Sequence, residues 1–156
     1  SDPVFNGVYK MVAVEKDGEI VPKIKISDNS EKITTPHFKK VYRLFDGDGK
    51  ATADLICLHD EVIDASRPLE LFDPDVTWKR KAVENFTAKE LMVPIFKDGE
   101  LVYKCPELGE IREYCKNQLD TLWDEVKRFS FPHVYYVDLS ERLWTIRQGL
   151  LQNHRH

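Results

Sequence analysis

Apolar residues in roughly the first hundred positions recur mostly with a period of two, and those near the end with a period close to 3.6, so strands are expected first and helices after them. In VYKMVAVE, residues 8–15, Val8, Val12 and Val14 fall on one face and Tyr9, Met11 and Ala13 on the other. Both faces are largely apolar, which predicts a strand covered on both sides. Asp17-Gly18 supplies a hairpin turn into a return strand over 20–27, where Ile20, Ile24 and Ile26 alternate with Lys23, Lys25 and Ser27. Pro22 cannot donate to a ladder, so that strand belongs at an edge or a bulge. Lys39 to Phe45 and Ala51 to Leu58 form the next predicted hairpin, joined by Asp46-Gly47-Asp48-Gly49. Shorter strands are expected at Leu69 to Phe72, Trp78 to Val83, Lys89 to Phe96 and Leu101 to Lys104. After Pro106 the period changes. Leu108, Ile111, Cys115, Leu119, Leu122, Val126 and Phe129 mark a helix of about six turns. His133 to Val137 reads as extended, Asp138 and Glu141 as a capping-box start, and Leu139, Leu143, Ile146 and Leu150 as a last helix. The expected class is α+β: antiparallel hairpins in a meander, followed by two C-terminal helices packed on the sheet.

Composition narrows the function classes. The chain has 156 residues, 42% hydrophobic and 32% charged, with formal charge −4. That suits one globular domain, residues 1–156, with a real core. No stretch is long enough to span a bilayer and no signal-peptide pattern opens the chain, so no membrane partner and a cytoplasmic location are expected. An acidic balance argues against nucleic acid as the main partner. Cys57, Cys105 and Cys115 match no zinc or redox spacing, and reduced, partly buried thiols are expected. The chain opens Ser1-Asp2-Pro3 without Met, which reads as a portion of a longer polypeptide.

Little in the sequence can make or break a bond. There is no glycine-rich dinucleotide motif, no P-loop and no nucleophile elbow. His37, His59, His133, His154 and His156 include no pair at structural-zinc spacing, and the last two lie in a tail without a packing pattern. Asp46-Gly47-Asp48-Gly49 fails as a calcium loop, because Lys50, Ala51 and Cys57 occupy the fifth, sixth and twelfth positions. His59-Asp60-Glu61 reads as a charged strand end, and Trp78-Lys79-Arg80-Lys81 as a strand with Lys79 and Lys81 on the face opposite Trp78 and Arg80. Tyr135 and Tyr136 are expected to split between core and surface. No catalytic residue and no metal ligand is assigned.

One window stands out from the acidic average. Between Pro22 and Arg43, six cations face only Asp28 and Glu31, a local balance of +4. A donor-rich cationic loop between strands suits a phosphate-bearing ligand; on charge counting alone a solvated loop that keeps the protein in solution is the favoured reading.

GVYKMVAV at 7–14, PKIKISDNSEKIT at 22–34, KKVYRLFD at 39–46 and ADLICLHDEVID at 53–64 resemble the C-terminal part of nicotinate phosphoribosyltransferases. The likeness continues in one order through PLELFDP at 68–74, ELMVPIFKDG at 90–99, EIREYC at 110–115 and VDLSERLW at 137–144. The resemblance implies a domain of an enzyme that joins nicotinate to phosphoribosyl pyrophosphate in NAD salvage, coupled to ATP hydrolysis and served by Mg2+. It also implies that the nicotinate pocket, the phosphorylated histidine and the glycine-rich phosphate loop belong to preceding chain. The expected partners are therefore the remainder of the same polypeptide and a second subunit of a homodimer, and this chain alone is expected to be inert. By the same likeness Lys32, Lys39, Lys40 and Arg43 are the expected phosphate or subunit contacts. The family usually has Gly after the proline matching Pro36, whereas His37 stands here; its Cβ is expected to prevent a positive-φ turn. The rival reading is a free-standing scaffold or binding module of the same fold.

Overall fold

The computed structural model describes residues 6–29 and 32–153. Among these described residues ten strands and three helices run in chain order: β1 Ala13–Lys16, β2 Glu19–Pro22, β3 Lys39–Phe45, β4 Ala51–Leu58, β5 Leu69–Phe72, β6 Arg80–Val83, β7 Thr87–Glu90, β8 Phe96–Lys97, β9 Glu100–Leu101, α1 Leu108–Asp120, α2 Asp124–Lys127, β10 Tyr136–Leu139 and α3 Glu141–Asn153. The α+β class stands. The six-stranded main sheet has the order β6-β5-β10-β4-β3-β7, and two small hairpins, β1-β2 and β8-β9, lie apart from it. All neighbours in the main sheet are antiparallel except β10 and β4, so the meander is interrupted by one late strand inserted in parallel.

Turn chemistry sets the hairpins. Asp17-Gly18 and Asp98-Gly99 both take positive φ, 54° and 81°, then 51° and 83°. Paired positive φ matches the twist that two-residue hairpins need. In the β3–β4 turn, the Asp46 carboxylate accepts the Asp48 and Lys50 N–H groups at 3.0 and 2.9 Å.

Several strands are shorter than the alternation predicts. The first hairpin pairs as far as Ala13 and Pro22, and the Lys23 N–H adds a last bond to Val12 O at 2.8 Å. Residues 8–12 are not a covered strand; Val8 and Tyr9 are 80% and 86% exposed. The segment expected to run from Lys89 to Phe96 stops at Glu90. Pro94 lies in its middle and divides it between β7 and β8.

The long helix is also broken. α1 ends at Asp120 because the β3–β4 hairpin takes its last carbonyls: Lys50 Nζ donates to Asp120 O at 2.7 Å and the Ala51 N–H to Thr121 O at 2.9 Å. A continuing helix needs those acceptors for its own N–H groups. The last helix is capped by Ser140, not Asp138, with Ser140 Oγ accepting the Leu143 N–H at 3.3 Å. Asp138 lies within β10 and is buried.

Alternation in β3, β4, β5 and β10 gives the sheet two different faces. On one, Leu44, Ala53, Leu55, Cys57, Leu71, Val83 and Phe86 form a core cluster. On the other, Leu58, Phe72 and Leu139 receive Leu143 of α3, with Trp144 and Ile146 beside it. Of the two long helices, α3 is the one that closes a core. α1 buries none of its side chains, and its apolar positions Leu108, Ile111, Tyr114 and Leu119 are exposed. Between α1 and the sheet runs a cleft of about 460 Å³ over Arg43, Asp54 and Tyr135.

Cys57, Cys105 and Cys115 are free thiols, and they differ in burial. Cys57 is buried, and burial pushes its pKa up to about 12, whereas Cys105 and Cys115 are exposed.

Candidate functional site

The cationic window is a loop closed on itself. The Lys25 N–H donates to Thr34 Oγ1 at 2.9 Å, and the Thr34 N–H returns a bond to Lys25 O at 3.3 Å. The Val12 carbonyl then accepts both the Lys23 and His37 N–H groups, at 2.8 and 2.7 Å, fastening the two ends of the loop to the start of β1. Pro36 is fully buried beneath this junction. His37 takes φ 78°, so its Cβ does not prevent the positive-φ turn; the residue adopts it at the usual steric cost. The Phe38 N–H donates to His37 Nδ1 at 2.9 Å, a local bond that helps to hold this conformation. The His37 ring stacks on His59, with centroids 6.2 Å apart.

Within this frame the four expected phosphate contacts separate. Lys32 is exposed on the loop, where its N–H bonds Asn29 O at 3.0 Å. Lys39 turns its ammonium onto the chain itself, donating to Thr35 O at 2.8 Å and His37 O at 2.6 Å. Burial lowers its pKa, and the two carbonyls take two of its three N–H donors. Lys40 points to the opposite face of β3, with its ammonium 5.4 Å from the Tyr42 ring centre. Its interaction with the Tyr42 hydroxyl, partly offset by burial, raises its pKa.

Arg43 is committed to a neighbour. Its guanidinium grips Asp54 through both carboxylate oxygens, Nε to Oδ1 at 2.8 Å and Nη2 to Oδ2 at 2.9 Å, and Nη1 reaches Gln118 Oε1 at 3.3 Å. The Tyr135 hydroxyl adds a bond to Asp54 Oδ1 at 2.9 Å. The bidentate bond to Asp54 raises the Arg43 pKa, while burial first and the Asp54 charge next push the Tyr135 phenol well above its usual range. This cluster joins β3, β4, α1 and the start of β10. Its readable signal was Asp54, a lone charge inside the apolar strand ADLICL, which needs a buried partner.

The remaining candidates are structural. Glu61 accepts the Leu58 N–H and the Ser140 hydroxyl, both at 2.7 Å, and Asp60 pairs with Arg142. Lys79 and Lys81 do share a face, with their ammonium groups 5.2 and 3.8 Å from the Tyr136 ring centre, while Arg80 stacks on Phe72 and Trp144 on the other. Tyr135 and Tyr136 are both half-buried, on opposite faces, rather than divided between core and surface. His154 and His156 lie outside the described residues. Among the described residues no group of three His, Cys, Asp or Glu side chains could hold a metal ion. No described helix is long and apolar enough to cross a membrane.

The family model described as Nicotinate phosphoribosyltransferase C-terminal domain matches residues 38–147, from just before β3 to the middle of α3. This chain belongs to that family. Nicotinate phosphoribosyltransferase of Bacillus subtilis (strain 168) is 45% identical over 144 residues, covering 92% of this chain and 29% of the relative. The human nicotinate phosphoribosyltransferase is 32% identical over 149 residues, covering 95% of this chain and 27% of its own length. A crystal structure of human nicotinic acid phosphoribosyltransferase superposes with a TM-score of 0.68 at 27% identity, over 76% of this chain and 24% of that one. The chain thus spans less than a third of the length of these nicotinate phosphoribosyltransferases and corresponds to their C-terminal domain.

Proposed function

We propose that this chain, residues 1–156, works as the C-terminal domain of a cytoplasmic enzyme that makes nicotinate mononucleotide from nicotinate and phosphoribosyl pyrophosphate with ATP and Mg2+. The observation that carries the reading is collinearity: nearly the whole chain aligns with relatives named for that activity, yet occupies only 27–29% of the two quoted above. The described residues offer no cluster to ligate Mg2+, so no step of the reaction is assigned to a metal on this chain. Its proposed work is support. The Arg43–Asp54–Tyr135 cluster and the α3 core make a rigid wall, and the loop over 25–34 presents Lys32 from it. On that reading Lys32 and Lys40 are the ammonium groups that offset phosphate charge or meet a second subunit, whereas Lys39 and Arg43 hold the wall in place.

The remainder of the same polypeptide is the proposed partner, and its proposed seat is the uncovered apolar surface of α1 together with Val8, Tyr9 and Met11. The test uses the full-length enzyme and this chain side by side. The full-length protein should form nicotinate mononucleotide and the chain alone should form none. Product from the chain alone, or an inactive full-length enzyme, defeats the reading. In the full-length protein Lys32→Ala and Lys40→Ala should each raise the KM for phosphoribosyl pyrophosphate; unchanged values remove both residues from the site.

A further inference from the structure

The clasp that closes the cationic loop depends on one ring nitrogen. His37 holds φ 78°, which a residue with a Cβ adopts at a steric cost, and its amide closes the loop by donating to Val12 O at 2.7 Å. The Phe38 N–H donates to His37 Nδ1 at 2.9 Å, so that nitrogen carries no proton. The His37 carbonyl in turn accepts the Lys39 ammonium at 2.6 Å. Backbone conformation, loop closure and the seat of Lys39 all pass through this residue.

Protonation reverses the sense of the bond to Phe38. An imidazolium donates from both nitrogens, and Nδ1–H would then face the Phe38 N–H, donor against donor. Phe38 O lies 3.3 Å from Nδ1, but it already accepts the His59 N–H at 3.1 Å, and turning to it leaves the Phe38 N–H without its acceptor. The surroundings offer the new charge little compensation. The ring borders a cavity of about 630 Å³, lined also by His59 and Asp60 at the end of β4, Arg142 of α3 and Glu19 of β2. Asp60 is already paired with Arg142 at 3.2 Å, and Glu19 is exposed to water. The His59 ring stacks on His37 with 19° between the planes, and its own Nδ1 is buried without a hydrogen-bond partner. Lys39 already brings one positive charge to the His37 carbonyl. Imidazoles as a class change charge between about pH 5 and pH 8.

We propose that His37 is a pH-sensitive latch on the cationic loop. Neutral, it holds the left-handed turn, closes the loop onto Val12 and keeps the Lys39 ammonium on two carbonyls. Protonated, it leaves that turn, the bond to Val12 breaks and Lys39 is released to solvent. The device is particular to histidine at this position. Glycine takes the same φ with no side-chain bond, and asparagine tolerates it with an amide that does not titrate.

Amide hydrogen exchange of the 156-residue chain, followed by NMR at about pH 5 and about pH 8 and corrected for intrinsic exchange rates, tests the latch. Protection of the His37 amide should fall on the order of tenfold at the lower pH, the size expected for losing a hydrogen bond. Protection of Leu55, inside the main sheet, should stay constant. In His37→Gly and His37→Asn the amide at position 37 should be equally protected at both pH values; if His37→Asn does not fold, His37→Gly decides. His59→Asn should keep the fall, because the bond to Phe38 is broken by the proton on His37 itself. Equal protection of His37 at both pH values in the native chain would overturn the proposal. So would the same fall in His37→Gly, a fall of equal size at Leu55, or a fall that disappears in His59→Asn.

Discussion

A charge inside a strand is tolerable only when its partner is built in, and Asp54 shows how completely this chain meets that demand. Both oxygens are occupied by Arg43 and one also by Tyr135, although Tyr135 lies 81 positions from Asp54 along the chain. Asp54→Ala would leave a mostly buried guanidinium and a phenol without their acceptor. A loss of about 3 kcal/mol is expected in urea denaturation, near the lower end for breaking a buried pair because water reaches this one in part. Asp138 has the opposite balance. Its folded-state pKa is raised by burial, so the unfolded chain ionises first as pH rises past the ordinary carboxylate value of about 3.9. Folding therefore carries a penalty that is absent at low pH and grows until the folded pKa is passed. Asp138→Asn should stabilise the protein at pH 7 and have little effect near pH 2. A stability difference that is the same at both pH values would show that ionisation of Asp138 carries no cost.

The two long helices share an amphipathic pattern and have different fates. α3 sends Leu143 into a cluster with Leu58, Phe72 and Leu139, so Leu143→Ala should cost about 2–5 kcal/mol. α1 carries Ile111 at an equivalent-looking position, yet it is 45% exposed, and Ile111→Ser should change the stability of this chain by only about 0.5 kcal/mol. Paired urea curves on the two variants check the contrast. Periodicity could identify both helices, because it reports which residues line one side of a helix. It could not tell that one side meets a sheet and the other a cleft. Nor could it locate the end of α1, which is fixed by Lys50 and Ala51 taking carbonyls from a hairpin some seventy residues earlier.

At the scale of the whole molecule, the uncovered apolar residues of α1 and of positions 8–11 set its behaviour in solution. Sedimentation of this chain alone should show self-association as concentration rises, and Ile111→Ser with Leu119→Ser should reduce it. A clean monomer for the native chain at all concentrations would count against a covering partner. The class of fold, the β3–β4 hairpin with its exact ends, the paired Asp-Gly turns and the family were legible in the sequence, because alternation, turn residues and colinear motifs are local or ordered along the chain. The separation of Lys39 and Arg43 from Lys40 was implicit in the same period of two, since neighbours on a strand face opposite ways. What each cation does was decided only by tertiary structure. Charge counting treats every lysine alike, while Lys39 bonds two carbonyls of its own loop and Arg43 closes on Asp54. The parallel insertion of β10 between β4 and β5 was likewise invisible, because it depends on a strand arriving after two helices to fill a gap in the sheet. Sequence pattern determines which faces a residue can present; the fold determines what stands opposite.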